Sequence, residues 1–197
     1  RGFLREGDEI VVRFGDRRQG CPGIRVQTFC EETFEFRVLV DAFATYNYVE
    51  LPEQPTIAII PGPPTLFKAI LPTERCPGTP FALRMKGEDH WGNPSDLCDQ
   101  TFTVVANMDV DGLPDAVTFA KGAFAVIFDD LRVRTTGDLI IELIDANGAV
   151  VFRSNPCRIS GSARLLPYWG DLHGQSEETI GTNSARDFYE FARDKAF

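Results

Sequence analysis

Between residues 66 and 153 the chain is cut into short apolar segments by turn residues. The segments 66–71, 81–86, 102–105, 116–119, 123–128, 139–144 and 149–153 follow one another, at a spacing of roughly 8–12 residues. Runs this short, alternating apolar and polar, are too brief for helices that bury a face. They suit strands whose inward sides meet across a second sheet. The spacing predicts a β-sandwich over 65–160. Asp145-Ala146-Asn147-Gly148 reads as a hairpin turn in which Asn-Gly supplies the φ > 0 residues. Trp91-Gly92-Asn93-Pro94 reads as a second turn.

The preceding stretch has the same style. Strands are expected at 9–14, 25–29, 34–40 and 49–51, and one apolar run covers 56–60. The run Pro61-Gly62-Pro63-Pro64 is a stiff connector. It places a boundary between a first β-domain, 1–64, and the sandwich, 65–160.

Beyond 160 the pattern breaks. Residues 174–181 have loop composition, and 184–196 form the one strong helical pattern. Ser184 and Asp187 have the spacing of a capping box. Ala185, Phe188, Phe191 and Ala192 share one helical face. The expected architecture is therefore mainly β: two consecutive β-sandwich-like domains, then at 161–197 a strand, loop and helix with nothing to pack on. That last piece is expected to open a domain that continues further, and the abrupt start suggests trimming there too.

Composition narrows the function classes. The 197 residues are 43% hydrophobic, with 20 basic against 29 acidic side chains and a formal net charge of −9. That balance gives no basic footprint for a phosphate backbone, so no nucleic-acid partner is expected. No apolar run reaches the roughly 18 residues a membrane helix needs, so no membrane span is expected. The N-terminal residues hold no apolar signal-peptide region, which leans the reading toward the cytoplasm. The five cysteines, at 21, 30, 76, 98 and 157, are odd in number and form no Cys-x-x-Cys pair. Reduced core thiols are favoured over a disulfide framework or structural zinc.

Chemistry concentrates at 168–176, Tyr-Trp-Gly-Asp-Leu-His-Gly-Gln-Ser. Asp171 and His173 stand two apart, so an extended backbone aims both to one face. An imidazole nitrogen beside a carboxylate oxygen suits a divalent metal. The competing reading makes Asp171 a turn cap and His173 a hydrogen-bonded loop residue. Lesser candidates are His90 with Asp89 and Glu88 as a surface metal site, Gly15-Asp16-Arg17-Arg18 as an anion loop, and Asp109-Val110-Asp111-Gly112 as a fragment of a calcium loop. For each, a solvated turn or polar strand end is the simpler account. There is no nucleophile elbow, phosphate-cradling loop or dinucleotide fingerprint.

The sequence at 168–182, Tyr-Trp-Gly-Asp-Leu-His-Gly-Gln-Ser-Glu-Glu-Thr-Ile-Gly-Thr, with the Phe-Tyr-Glu-Phe-Ala-Arg-Asp helix after it, resembles the first motif of a bacterial family. That family is related to the PHP (polymerase and histidinol phosphatase) metal-dependent hydrolases. Gly-Asn-Pro at 92–94, Ser-Asn-Pro at 154–156 and the stretch 7–16 extend the resemblance upstream. It implies a distorted (β/α)₇ barrel beginning near 165, whose first strand delivers ligands to a multinuclear centre of zinc, manganese or iron. That centre activates water for phosphoester or related hydrolysis. The family motif is His-x-His. Here His173 takes the first place and Gln175 the second, and Asp171 is a compensating carboxylate. The implied metal ligands are thus His173, Asp171 and Gln175, and no catalytic or substrate-binding residue is assigned. The implied partner is the remainder of the barrel. The β-domains then cover its mouth, mediate homo-oligomerisation, or hold substrate.

Two rivals stand beside this reading. One is a non-enzymatic, Ig-like binding or adhesion module, marked by an exposed aromatic patch around Trp91, Phe102 or Tyr46–Tyr48. The other is a catalytically dead relative, suggested by Gln175.

Overall fold

In the computed structural model the described residues are 5–162, 165–170 and 173–196. The chain is mainly β, with several sheets and one short C-terminal helix. It divides into two compact units, Arg1–Ile60 and Pro61–Phe197. The Pro-Gly-Pro-Pro run thus belongs to the second unit, and so do residues 161–196.

The first unit holds β1 (Glu31–Glu35), β2 (Leu39–Val40), β3 (Val49–Glu50) and β4 (Thr56–Ile59). β1 pairs antiparallel with β4, and β2 with β3. The strands expected at 9–14 and 25–29 are not there; both stretches run without strand pairing. Their apolar residues do not alternate with polar ones, so a single sheet face cannot collect them, and Ile10, Val11, Val12 and Val26 stay exposed. The expected strand 34–40 breaks at 36–38. There Gln54 serves as a side-chain surrogate for a strand: its Oε1 accepts from Val38 N at 2.8 Å and its Nε2 donates to Val38 O at 3.3 Å. Packing in this unit is aromatic. Phe14 stacks on Phe36 with centroids 4.3 Å apart, and Phe34 meets Phe36 edge-on.

The second unit holds β5 (Leu66–Ile70), β6 (Glu74–Arg75), β7 (Phe81–Glu88), β8 (Gln100–Ala106), β9 (Ala116–Phe119), β10 (Ala125–Leu131), β11 (Gly137–Leu139), β12 (Ile141–Ile144), β13 (Val150–Arg153) and β14 (Cys157–Ile159). They form three sheets, ordered β10-β7-β5, β13-β12-β8-β9 and β11-β14-β6. All pairings are antiparallel except β14 with β6. This β-rich fold is consistent with a sandwich.

One core joins the three sheets. Leu83 and Met85 of β7, Leu131 of β10, Leu139 of β11, Ile141 and Leu143 of β12 and Cys157 of β14 are all fully buried. Phe67, Phe102 and Phe119 meet edge to face, with centroids 4.7 to 5.8 Å apart. Phe102 is therefore core, not part of an exposed aromatic patch.

The segment 139–144, expected as one strand, is two strands in different sheets. Asn107 makes the switch. Its Nδ2 donates to Asp138 O at 2.9 Å and its Oδ1 accepts from Ile140 N at 2.8 Å. Asn155 does similar work elsewhere, accepting from Leu71 N at 2.9 Å and donating to Leu71 O at 2.8 Å. An amide side chain carries one donor and one acceptor group, so it can replace a missing strand neighbour.

Cys98 and Cys157 are buried, whereas Cys21 and Cys30 are exposed. Burial pushes the Cys157 thiol up to about 11, against the opposing pull of Arg75. Leu83→Ala is expected to destabilise the second unit by about 2–5 kcal/mol, the usual cost of emptying a fully buried leucine site. Asn155→Ala is expected to cost about 1–3 kcal/mol by stranding the Leu71 backbone groups. Urea titrations read both, and no change in midpoint for either would contradict this account of the core.

Candidate metal site

The helix that follows the motif is α1 (Ala185–Phe191). Ser184 caps it: Ser184 Oγ accepts from Asp187 N at 3.1 Å, and the Asp187 carboxylate accepts from Ser184 N. The reciprocal box expected from the sequence is formed. A π-helical turn, Ala192–Ala196, extends it.

No strand forms among the described residues of 160–184. The expected first barrel strand near 165 is therefore not seen among the described residues, and 173–183 run as a loop. In that loop His173 Nε2 and the Gln175 amide nitrogen stand 3.0 Å apart. The i, i+2 spacing brings the two side chains into contact. Both are exposed. Asp171 lies outside the described residues.

Two glycines shape the loop. A Cβ on Gly174 would stand 2.8 Å from the Phe188 ring of α1. A Cβ on Gly181 would stand 2.7 Å from the Gln175 carbonyl and Ser176 N. The loop therefore lies flat against the helix on one side and folds onto its own backbone on the other. Glu177 N donates to Asn183 O at 2.8 Å, and Gly181 N donates to Ser176 O at 2.9 Å. An open depression of about 390 Å³ results, lined by Gln175, Gly181, Asn183, Asp187 and Phe188 among others.

The helix end is held by the outer face of β7. Glu88 is 3% exposed, with Lys68 Nζ 2.7 Å from Oε2 and Lys86 Nζ 3.0 Å from Oε1. Lys86 also donates to Ala196 O at 3.0 Å, and Lys195 lies over the Phe124 ring. Burial alone would push Glu88 up, but the bonds and charges of Lys68 and Lys86 outweigh it and hold the carboxyl below its ordinary range. Further back, Trp169 Nε1 donates to Thr73 Oγ1 at 2.6 Å, and the Arg75 guanidinium lies over the Tyr168 ring.

Sequence reasoning named His173 and Gln175 but missed Lys86 and Thr73. Lys86 carries no motif. Its significance comes from covering by residues 110 positions away in the chain, which local pattern cannot show.

The lesser candidates resolve into structure. Asp89 accepts from Trp91 N at 2.8 Å, Asn93 N at 3.0 Å and Gly62 N at 3.1 Å, so it pins the turn and the proline run. Burial would raise its carboxyl; the bonds from Asn93, Gly62 and Trp91 together hold it low. His90 packs edge-on against Trp91. Asp111 pairs with Arg134, and Arg18 with Asp16.

His173 offers an imidazole nitrogen and Gln175 a neutral amide oxygen. A hydrolytic metal centre takes about three protein ligands or more. Among the described residues no group of three His, Cys, Asp or Glu is placed to hold a metal. The described donors therefore do not make a complete centre, and no chemical step through a metal follows from them.

Two predictions follow from this geometry. Gly181→Ala is expected to push the Gln175–Ser176 backbone away, because a Cβ there meets backbone, not a movable side chain. Amide chemical-shift changes centred on 173–183, with little change in the sandwich, are the signature; unchanged shifts there refute the close packing. Glu88 has a lower folded than unfolded value, so its stabilisation is full above the ordinary glutamate range and is lost as pH falls through the folded value. Glu88→Gln is thus expected to lower stability at pH 7 and to flatten the acid side of the profile, as thermal melts from pH 3 to 7 would show.

No family model matches the chain, and no curated protein matches it. Among solved structures, superoxide reductase (neelaredoxin) from Ignicoccus hospitalis is similar at 14% identity over 49% of this chain and 82% of that one, with a TM-score of 0.33. A likeness that slight carries no argument about what this chain folds into or does.

Proposed function

We propose that this chain is the β-rich accessory region of a PHP-like metal-dependent hydrolase, acting on phosphoesters or related bonds, and that 168–182 is its first ligand motif. The observation that carries the reading is the convergence of His173 and Gln175 at 3.0 Å on a loop seated against α1. Two side chains two residues apart, aimed together and left open to solvent, suit ligation better than core packing. The remaining ligands are then supplied outside 173–196, with Asp171 the nearest carboxylate in sequence.

The donor set bears on the metal. One imidazole joined by amide and carboxylate oxygens is harder than the usual nitrogen- and sulfur-rich zinc set, which favours manganese or iron(II). In this reading the second unit is a platform: Thr73 holds Trp169 at the start of the motif, and Lys86 holds the turn that follows α1. The expected homo-oligomer and the barrel partner belong to the same proposal.

Metal analysis of the native protein, purified from its source without chelator, tests it. Bound manganese, iron or zinc is expected, with His173→Ala lowering both metal content and p-nitrophenyl phosphate hydrolysis by about ten-fold or more. A metal-free protein indifferent to His173→Ala sinks the reading. Gln175→His separates a working amide ligand from a lapsed imidazole: hydrolysis falls in the first case and rises in the second.

A further inference from the structure

The geometry points to a binding site for neutral carbohydrate on the loop between β2 and β3, independent of the hydrolase reading. This loop carries Phe43, Tyr46 and Tyr48, which are 79%, 90% and 61% exposed. Large rings so fully in water, three within six residues, are apolar surface the fold does not use for itself.

The loop is nevertheless built. The Asp41 carboxylate accepts from Phe43 N at 3.2 Å, Thr45 N at 3.1 Å, Thr45 Oγ1 at 3.4 Å and Tyr46 N at 2.8 Å. It holds two non-glycine residues in the left-handed region, Ala44 at φ 54° and Tyr46 at φ 64°. Such conformations are strained for a residue with a side chain and persist where the surroundings fix them. The backbone is thus bent to present the rings and is fixed before any ligand arrives. Preorganisation of this kind lowers the ordering cost of binding.

Charge selects the ligand class. No Lys or Arg occurs from 38 to 67. The flanking Arg37 guanidinium is engaged by Glu50, with Nε donating at 2.7 Å. The Asp41 oxygens are filled by the loop itself. What the loop itself offers a ligand is aromatic faces, phenol hydroxyls and the Asn47 amide. Nucleic acids and anionic lipid surfaces find no cation within this segment of the chain. Neutral sugars present the complement, apolar C–H faces that lie on aromatic rings and hydroxyls that bond to phenol and amide groups.

The test is calorimetric titration of the full chain with cellohexaose, xylohexaose, mannohexaose and maltohexaose. At least one is expected to bind with a Kd between about 10 μM and 1 mM. Phe43→Ala and Tyr46→Ala should each weaken that binding about ten-fold or more, Tyr46→Phe much less, and Trp91→Ala, an exposed ring elsewhere, not at all. These side chains are exposed, so thermal melts of the variants should match the wild type. The proposal is overturned if none of the four sugars binds, or if binding persists unchanged in the Phe43→Ala/Tyr46→Ala double variant. Ring-dependent binding to phosphatidylcholine vesicles, or ring-dependent self-association in sedimentation, with no sugar bound, overturns it as well.

Discussion

Strand β7 is buried on both faces at its C-terminal end, and that double burial organises the second unit. Its inner face contributes Phe81, Leu83 and Met85 to the core, while its outer face carries Lys86 and Glu88. A carboxylate so enclosed is tolerable only because two ammonium groups meet it. Lys68 and Lys86 lie directly opposite each other in the β5–β7 register, so the three charges share one face by strand pairing alone. Lys86 has a further bond to give, and it gives it to the backbone of the C-terminal π turn. The ion group therefore both satisfies itself and fixes the helix against which the His173 loop rests.

Side-chain amides and carboxylates do a large share of the work that strand pairing leaves undone. Asn107 guides the chain from one sheet to another, Asn155 completes the Leu71 backbone, and Asp89 ties the 89–93 turn to Gly62. Asp41 does the same for the aromatic loop of the first unit. Each replaces a backbone partner where the chain turns too sharply for a ladder. The motifs Gly-Asn-Pro at 92–94 and Ser-Asn-Pro at 154–156 gain a physical reason here. Their asparagines bond backbone or carboxylate groups at turns, and the prolines follow where no strand N–H is wanted.

Much of the second unit was legible in the sequence. The alternation of Phe81-Leu83-Met85 and the spacing of the turns are local consequences of a strand with one face inward. The capping box at Ser184 and Asp187 was legible too, since both partners lie within one helical turn. The strands expected at 9–14 and 25–29 were misread because β-branched content signals only a willingness to extend. Whether such a stretch becomes a strand depends on an edge to pair with. Spacing by itself paired His173 with Asp171, and only the family resemblance set Gln175 beside it; the loop conformation that brings His173 and Gln175 into contact was not readable. That depends on Phe188 of α1 and on the close approach of Gly181.

By itself the sequence determined the β class, the turn positions, the helix and its cap, and the presence of His173 and Gln175 in one short motif. All of these follow from interactions between residues a few positions apart, or from the period of a repeating conformation. Tertiary structure alone decided that 139–144 divides between two sheets, that Phe102 is core while Phe43 and Tyr46 stand in water, and that Lys86 closes over the helix end. Those outcomes turn on which distant segment covers a given face. A residue's own neighbours in sequence carry no information about that cover, because burial is set by the packing of whole sheets and not by local preference.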